Sequence, residues 1–275
     1  MNILTFDIEE WYTYGTGSGT IDIKSSSRLE GYLDQLLNLL EHKKYLATFF
    51  VLGAIARSHP HILKKIANAG HQIGCHSDIH QWLTNFNRAD FFKDTNKAIF
   101  SIEEIIGKKV VCYRAPAFSI TEKNKWAFEV LHQFGIEYDC SIFPADRDFG
   151  GFPDILQDAP CIIEYNGIRI KELPIGVSKV LGKRIAYSGG GYFRLLPYFK
   201  IKKMILARDY NMTYFHLRDF DIEQSRKLNL RYFKNYYGIN GSWNKFLKLL
   251  NDFEFVNIEA ATKRIEWDNV PVVKI

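Results

Sequence analysis

The stretch Gly70-His71-Gln72-Ile73-Gly74-Cys75-His76-Ser77-Asp78-Ile79-His80 decides how this chain is read. Gln72–Cys75 is short and strand-like, and it follows Gly70, which stops a helix opened by Pro60. The strand gives way at once to His76 and His80. Imidazoles four residues apart fall on one face of a helical turn, so both can reach one metal ion. Taken alone, such a pair is more often two unrelated surface histidines. Its place directly after a buried strand favours the functional reading, because sites in strand–helix folds collect at the carboxyl ends of strands.

The same rhythm extends to both sides. Asn2–Asp7 reads as a buried strand. Ser26–Lys43 has the helical period, with Leu29, Tyr32, Leu33, Leu36, Leu37 and Leu40 on one face. Leu46–Leu52 is a strand, Pro60–Ala69 a helix, and Arg88–Ile106 a long amphipathic helix ending at Gly107. Val110–Tyr113 is a strand, Thr121–Phe134 a helix between the Thr121 cap and Gly135, and Ile136–Cys140 a strand. Strands alternating with helices mean βα units around a parallel sheet or barrel. From about residue 143 the pattern is less regular. Phe143–Ile163 reads as a long loop rich in Asp, Gly and Pro. Arg169–Pro174 reads as a strand, the region near Leu195–Ala207 as a helix, and Met212–His216 as a strand with a polar exit. Ser242–Leu250, Glu254–Val256 and Ile258–Arg264 read as helix, strand and helix. No repeat or linker divides the chain, so residues 1–275 read as a single domain.

Composition removes several classes. Hydrophobic residues at 47% and charged residues at 24% are ordinary globular usage and exclude a disordered tail, a coiled coil or a collagen. A net charge of +5 is too small to call for nucleic acid and is compatible with an anionic polymer or a membrane surface. Aromatic residues reach 15%, which serves sugar stacking and ordinary cores alike. No apolar run approaches the roughly 20 residues that span a bilayer. The opening MNILTFDIEE has no basic region before a long apolar stretch, so it reads as a first strand and not as a signal peptide. The expectation is a cytoplasmic protein, or one peripheral at the membrane. Cys75, Cys112, Cys140 and Cys161 are far apart and sit among apolar neighbours, so they read as buried reduced thiols.

Polar residues at the other strand ends complete the picture. Side chains alternate along a strand, so Asp7 and Glu9 face the same way while Ile8 faces the opposite side. Two carboxylates beside two histidines supply a third metal ligand and a base for water. Arg114, after Tyr113, can pair with a carboxylate and keep it ionised. Asp139 can orient Arg114 or another site group, and His216 ends a late apolar strand. Each signal is weak alone; an acidic turn, a surface Arg or a satisfied core His explains each of them. Together, two histidines, a carboxylate, a free base and a free acid are the outfit of metal-assisted amide or ester hydrolysis.

This ordered set resembles the NodB-type polysaccharide deacetylases, carbohydrate esterase family four. The resemblance is carried by "TFD" with its acidic followers, "GHQIGCHSDIH", "YRAPAF" and "YFHLRDFD". Further stretches, "YDCSIFPADRDFGGFP", "SGGGYFRLLPY" and "RYFKNYYGINGSWNKFLKLLNDFEF", resemble the subgroup found in exopolysaccharide and surface-glycan gene clusters. It runs from Asn2 to about Glu259. The resemblance implies an α/β fold, a distorted, incomplete (β/α) barrel of the polysaccharide deacetylase type. It implies a hydrolase of linear amides other than peptides, releasing acetate from an N-acetylated sugar in a glycan or glycan precursor. His76, His80 and an acidic residue after Asp7 would hold one divalent ion, zinc first, with cobalt, iron or nickel as alternatives. Asp7 would be the general base, Arg114 its tether, His216 the general acid, and the Ala117 backbone N–H the oxyanion donor. Asp139 matches a position that orients from behind the site.

The chain departs from the family pattern in two places. Family members often have adjacent aspartates, whereas Ile8 separates Asp7 from Glu9; strand alternation selects Glu9 over Glu10 as the third ligand. The aromatic that usually follows the motif's proline is Ala117 here. Phe118, Tyr192, Trp11, Tyr12 and Phe149 are candidates for sugar stacking. His216 is expected to be protonated, helped by Asp219 or Asp221. Lys200, Lys202 and Lys203 read as a solvated helix face rather than a contact for an anionic glycan or lipid. Two rival readings are a hydrolase of a non-sugar amide or cyclic imide, and a non-catalytic glycan-binding or assembly protein.

Overall fold

A computed structural model of the 275-residue chain describes residues 1–9, 28–145, 150–155, 157–180, 182–224 and 236–275. The first half is a run of strand–helix units: β1 (Asn2–Ile3), β2 (Thr5–Ile8), α1 (Leu29–Lys43), β3 (Thr48–Val51), α2 (Gly53–Ser58), α3 (Pro60–Asn68), β4 (Gln72–Cys75), α4 (Arg88–Ile106), β5 (Cys112–Tyr113), α5 (Trp126–Gln133) and β6 (Tyr138–Asp139). The second half begins with two hairpins, β7 (Cys161–Tyr165) with β8 (Ile168–Glu172) and β9 (Ser178–Val180) with β10 (Lys183–Ile185). Then come α6 (Gly190–Leu195), α7 (Tyr198–Leu206), β11 (Asn211–Met212), β12 (Phe215–His216), α8 (Ser242–Asp252), α9 (Ile258–Thr262) and β13 (Val272–Lys274).

The main sheet has nine strands in the order β12-β2-β3-β4-β5-β6-β8-β7-β13. Every neighbouring pair is parallel except β7 with β8. Among the described residues nothing pairs β13 back onto β12, so the α/β sheet stays open, as an incomplete (β/α) barrel requires. Parallel strands covered on both faces are apolar throughout, and β2 and β3 are buried at every position. Leu29, Leu33, Leu36, Leu37 and Leu40 of α1 are buried, as their spacing predicts. Phe6, Phe49, Phe215 and Phe246 pack ring against ring under the β12 edge, with centroids 5.1 to 6.1 Å apart.

Several sequence expectations change at this point. The expected strand Met212–His216 is two short strands, β11 and β12, because β11 pairs with β1 while β12 pairs with β2. The expected helix Thr121–Phe134 is a 3-10 turn at Glu122–Asn124 followed by α5, with Asn124 closing the Thr121 capping box. The expected helix near 195–207 is α7, which starts after Pro197, and a further short helix, α6, precedes it. The expected loop at 143–163 ends in β7. The hairpin it opens turns at Asn166-Gly167, where both residues have positive φ (47° and 81°), as a two-residue type I′ turn requires. The four cysteines are buried free thiols. No helix among the described residues is long and apolar enough to cross a membrane.

Candidate metal centre and active site

Register brings the polar residues to one end of the sheet. His216 lies opposite Asp7 in the β12–β2 pair, Cys75 opposite Tyr113 in β4–β5, and Tyr113 opposite Asp139 in β5–β6. His76, Arg114 and His216 therefore occupy the last position of a parallel strand or the one after it, and Asp7 stands one residue before the end of β2. Carboxyl ends of such strands are where α/β folds place sites.

Glu9, His76 and His80 offer one ligand atom each, all within 4.8 Å of one another. The three residues are 2–4% exposed, which is unusual for a carboxylate and two imidazoles. Nε2 of His76 is 3.8 Å from Glu9 Oε2, and Nε2 of His80 meets the same oxygen more closely. His76 Nδ1 is 2.8 Å from the Arg114 carbonyl, which fixes the ring and turns Nε2 toward Glu9. Both Glu9 oxygens are buried without a well-formed hydrogen bond, although cationic groups approach them. A buried carboxylate left in this state, facing two imidazole nitrogens, fits a divalent cation. Glu10, the rival third ligand, lies outside the described residues.

The His76–His80 segment is not the helical turn its spacing predicts. Ser77 and His80 have positive φ, 74° and 60°. The loop is held from outside. Gly53 N–H donates to the Ser77 carbonyl and Ala54 N–H to the Asp78 carbonyl. Asp94 accepts from the Asp78 N–H at 3.0 Å. Asp78 receives both Arg57 nitrogens, at 2.6 and 3.0 Å, and Lys97 at 3.0 Å. Gly53 has no room for a side chain, since a Cβ there would stand 2.5 Å from Asp78 Oδ1.

Asp7 is 3% exposed and Arg114 is fully buried. Arg114 Nη1 donates to Asp7 Oδ1 at 2.7 Å and to Thr5 Oγ1 at 2.8 Å, and its guanidinium lies 4.2 Å from the Phe50 ring centroid. Burial alone raises the Asp7 carboxyl, but Arg114, then His76 and His216, outweigh it and hold Asp7 below the usual carboxylate range.

His216 Nε2 faces the same space, 3.8 Å from Asp7 Oδ2 and 3.6 Å from Glu9 Oε1. Its Nδ1 is 3.0 Å from Asp219 Oδ2, and that oxygen also accepts the His216 backbone N–H at 3.0 Å. Asp219 is paired in turn with buried Arg194 of α6. Of the two expected helpers, Asp219 is therefore the one in place; Asp221 pairs with Arg28 instead. Burial lowers the His216 pKa to about 3, further than Glu9 and Asp7 raise it. Against the expectation of a protonated His216, this burial favours a neutral ring, whose hydrogen on Nδ1 would face Asp219.

Asp139 does not reach Arg114 through any contact among the described residues. Its Oδ1 accepts from Ser141 Oγ at 2.6 Å, and Ser141 Oγ accepts the Ala115 N–H at 2.8 Å. Asp139 thus supports the turn that follows Arg114. Burial raises both Asp139 and its neighbour Glu172, Glu172 well above the usual range, and the two carboxyls share a hydrogen bond. Ala117 and Phe118 both take left-handed φ, 55° and 54°. Gly150 packs against this turn, where a Cβ would stand 2.5 Å from the Phe118 carbonyl oxygen. Phe118 is buried with its ring 5.4 Å from Tyr214, so it is a wall and not an open stacking platform. Tyr192 is half-buried on α6. Trp11, Tyr12 and Phe149 lie outside the described residues. Sequence reasoning passed over Arg194 and Arg218; the latter has Nη2 3.3 Å from Glu9 Oε1. The "RDFD" run after His216 was the available signal for Arg218.

Comparison with known proteins finds likenesses in both halves of the chain. The family model described as polysaccharide deacetylase matches residues 3–138, and a domain of unknown function (DUF3473) matches residues 140–263. A peptidoglycan-N-acetylglucosamine deacetylase of Bacillus cereus is 33% identical over 99 residues, covering 36% of this chain and 36% of that protein. A chitooligosaccharide deacetylase of Rhizobium leguminosarum is 36% identical over 100 residues, covering 35% and 42%. The chain thus spans about two fifths or less of the length of these curated relatives. A crystal structure from Mycobacterium smegmatis, assigned as a candidate polysaccharide deacetylase, superposes with a TM-score of 0.65 at 18% identity, covering 98% of this chain and 91% of that one, which speaks for the fold. The likeness to the polysaccharide deacetylase family lies in residues 3–138.

Proposed function

We propose that the protein hydrolyses the N-acetyl group of an amino sugar in a glycan or glycan precursor, with a divalent metal held by Glu9, His76 and His80. The observation that carries this reading is the single polar chamber in which that trio, Asp7 and His216 meet. Zinc is the favoured ion, since two imidazoles and one carboxylate are a zinc-type donor set with positions left open. Once bound, the ion would supply Lewis acidity to the amide carbonyl and acidity to a water.

The remaining chemistry falls to the chain's own groups. Asp7, kept ionised by Arg114, takes a proton from the attacking water as the new C–O bond forms. The backbone N–H of Ala117 would serve as the donor to the developing oxyanion. Neutral His216 presents Nε2 to Asp7 Oδ2 across 3.8 Å, so the proton taken by Asp7 has a short route to the imidazole. Asp219 stabilises the imidazolium that this creates. His216 then protonates the departing nitrogen as the C–N bond breaks, leaving acetate and a free amine. No proton has to come from solvent, which reconciles a neutral resting His216 with the role of acid.

The curated relatives act, by name, on peptidoglycan N-acetylglucosamine and on chitooligosaccharide. Supported by these names, the substrate class is an N-acetylglucosamine-type glycan, and surface-polysaccharide assembly is the setting we favour. We further propose that residues 1–275 act as one unit, since His216 comes from the second matched region and the Asp7 and Glu9 it faces come from the first. The test is acetate release from N-acetylglucosamine oligomers by zinc-loaded protein. Release that Asp7→Asn abolishes supports the reading; none from oligomers of any length, with metal bound, removes the sugar substrate.

A further inference from the structure

Helix α7 is apolar on two opposite sides. Ile201 and Ile205 enter the core at 0% and 3% exposure. Phe199 and Leu206, seven residues apart and so on one stripe, are 67% and 68% exposed. Leu195, at the end of α6, is 54% exposed. A helix on a water-facing surface normally turns polar residues outward. The polar residues that α7 has are Lys200, Lys202 and Lys203, and it has no carboxylate. At about 100° per residue, Lys202 and Lys203 stand on either side of the Phe199–Leu206 stripe. Lys202 is met by Asp252 of α8 at 3.0 Å. Among the described residues, Lys200 and Lys203 meet no carboxylate.

We propose that this face of α7 seats the protein on an anionic lipid bilayer. Phe199, Leu206 and Leu195 enter the boundary between headgroups and acyl chains, and Lys200 and Lys203 meet lipid phosphates. Charge favours a bilayer over a second copy of the chain, because a two-fold contact on this stripe sets lysine against lysine. An acidic polysaccharide would satisfy the lysines and leave Phe199 and Leu206 in water. Docking here brings the active site with it. The α6–α7 unit begins hard against the chain that carries His216: a Cβ on Gly189 would stand 1.8 Å from the Tyr214 carbonyl oxygen. The inference stands apart from the proposed reaction, since it uses none of the residues in that chamber.

The test is co-sedimentation of the full chain with phosphatidylglycerol/phosphatidylcholine vesicles and with phosphatidylcholine alone. Binding is expected on the anionic vesicles only and is expected to weaken with salt. Phe199→Ser/Leu206→Ser and Lys200→Glu/Lys203→Glu are each expected to lower the partition coefficient by about tenfold or more. These side chains are exposed, so thermal unfolding should match the parent and separates lost docking from lost folding. Absence of vesicle binding, equal binding to neutral vesicles, or binding unchanged in either variant would overturn the proposal. So would a concentration-dependent dimer abolished by Phe199→Ser/Leu206→Ser, or retention on an acidic polysaccharide without vesicle binding.

Discussion

Two acid–base partnerships face one another across the strand ends, and they are built differently. Asp7 and Arg114 are joined across the sheet. Arg114 comes from the end of β5, Asp7 and Thr5 from β2, and the guanidinium rests on Phe50 of β3. His216 and Asp219 are three residues apart, and a 3-10 turn alone brings them together, with Arg194 closing the pair from α6. The first partnership is part of the core, so the fold and the chemistry stand on the same atoms. The second is local, so its chemistry separates from the stability of the sheet.

That contrast breaks if Arg114→Met is mild. Removing one partner of a fully buried pair leaves a charge uncompensated, and the expected cost is about 3–5 kcal/mol, read as a lower denaturant midpoint with activity lost in parallel. His216→Ala should instead lower kcat by about 10²–10⁴-fold, with the denaturant midpoint little changed. The strand-end loops of the first half carry their own pH signature. Burial raises Asp94, which supports the His76–His80 loop, to about 6. A carboxyl that holds its proton more tightly folded than unfolded stabilises the fold below its unfolded pKa. That contribution is lost as pH rises from about 4 through 6, and it amounts to about 2–3 kcal/mol. Asp94→Asn should flatten that slope in pH-resolved denaturant melts. Asp7 has the opposite sign: its contribution is present above the unfolded pKa and lost as pH falls. The smallest effect on activity is expected from Asp219→Asn, about 10–100-fold in kcat with KM little changed. Nitrogen NMR of the free parent should show a neutral His216 from pH 5 to 8, with the hydrogen on Nδ1. An imidazolium signal there would end the internal proton route.

The same division governs what the sequence discloses. The bounds of β4 and α4 could be read directly, because Gly70, the strand-like run and Gly107 mark local events. Strand alternation selected Glu9, and the structure places Glu9 beside both histidines. The His76–His80 geometry was not legible. Nothing local announces left-handed φ at Ser77 and His80; contacts from α2 and α4 impose it. The β7–β8 hairpin did carry a signal, Asn166-Gly167, but the residues before it were read as the end of the 143–163 loop, so only its second strand was expected. Arg194 could not be found from sequence. Its meaning comes from Asp219, 25 residues away, and a lone arginine near a glycine run looks like any surface residue.

Metal content bears most directly on the central claim. The parent, purified without chelator and then offered zinc, should hold about one equivalent, and His76→Ala/His80→Ala should hold none. A parent that stays metal-free, or a double variant that keeps its equivalent, would contradict the assignment of Glu9, His76 and His80 and the hydrolysis built upon it.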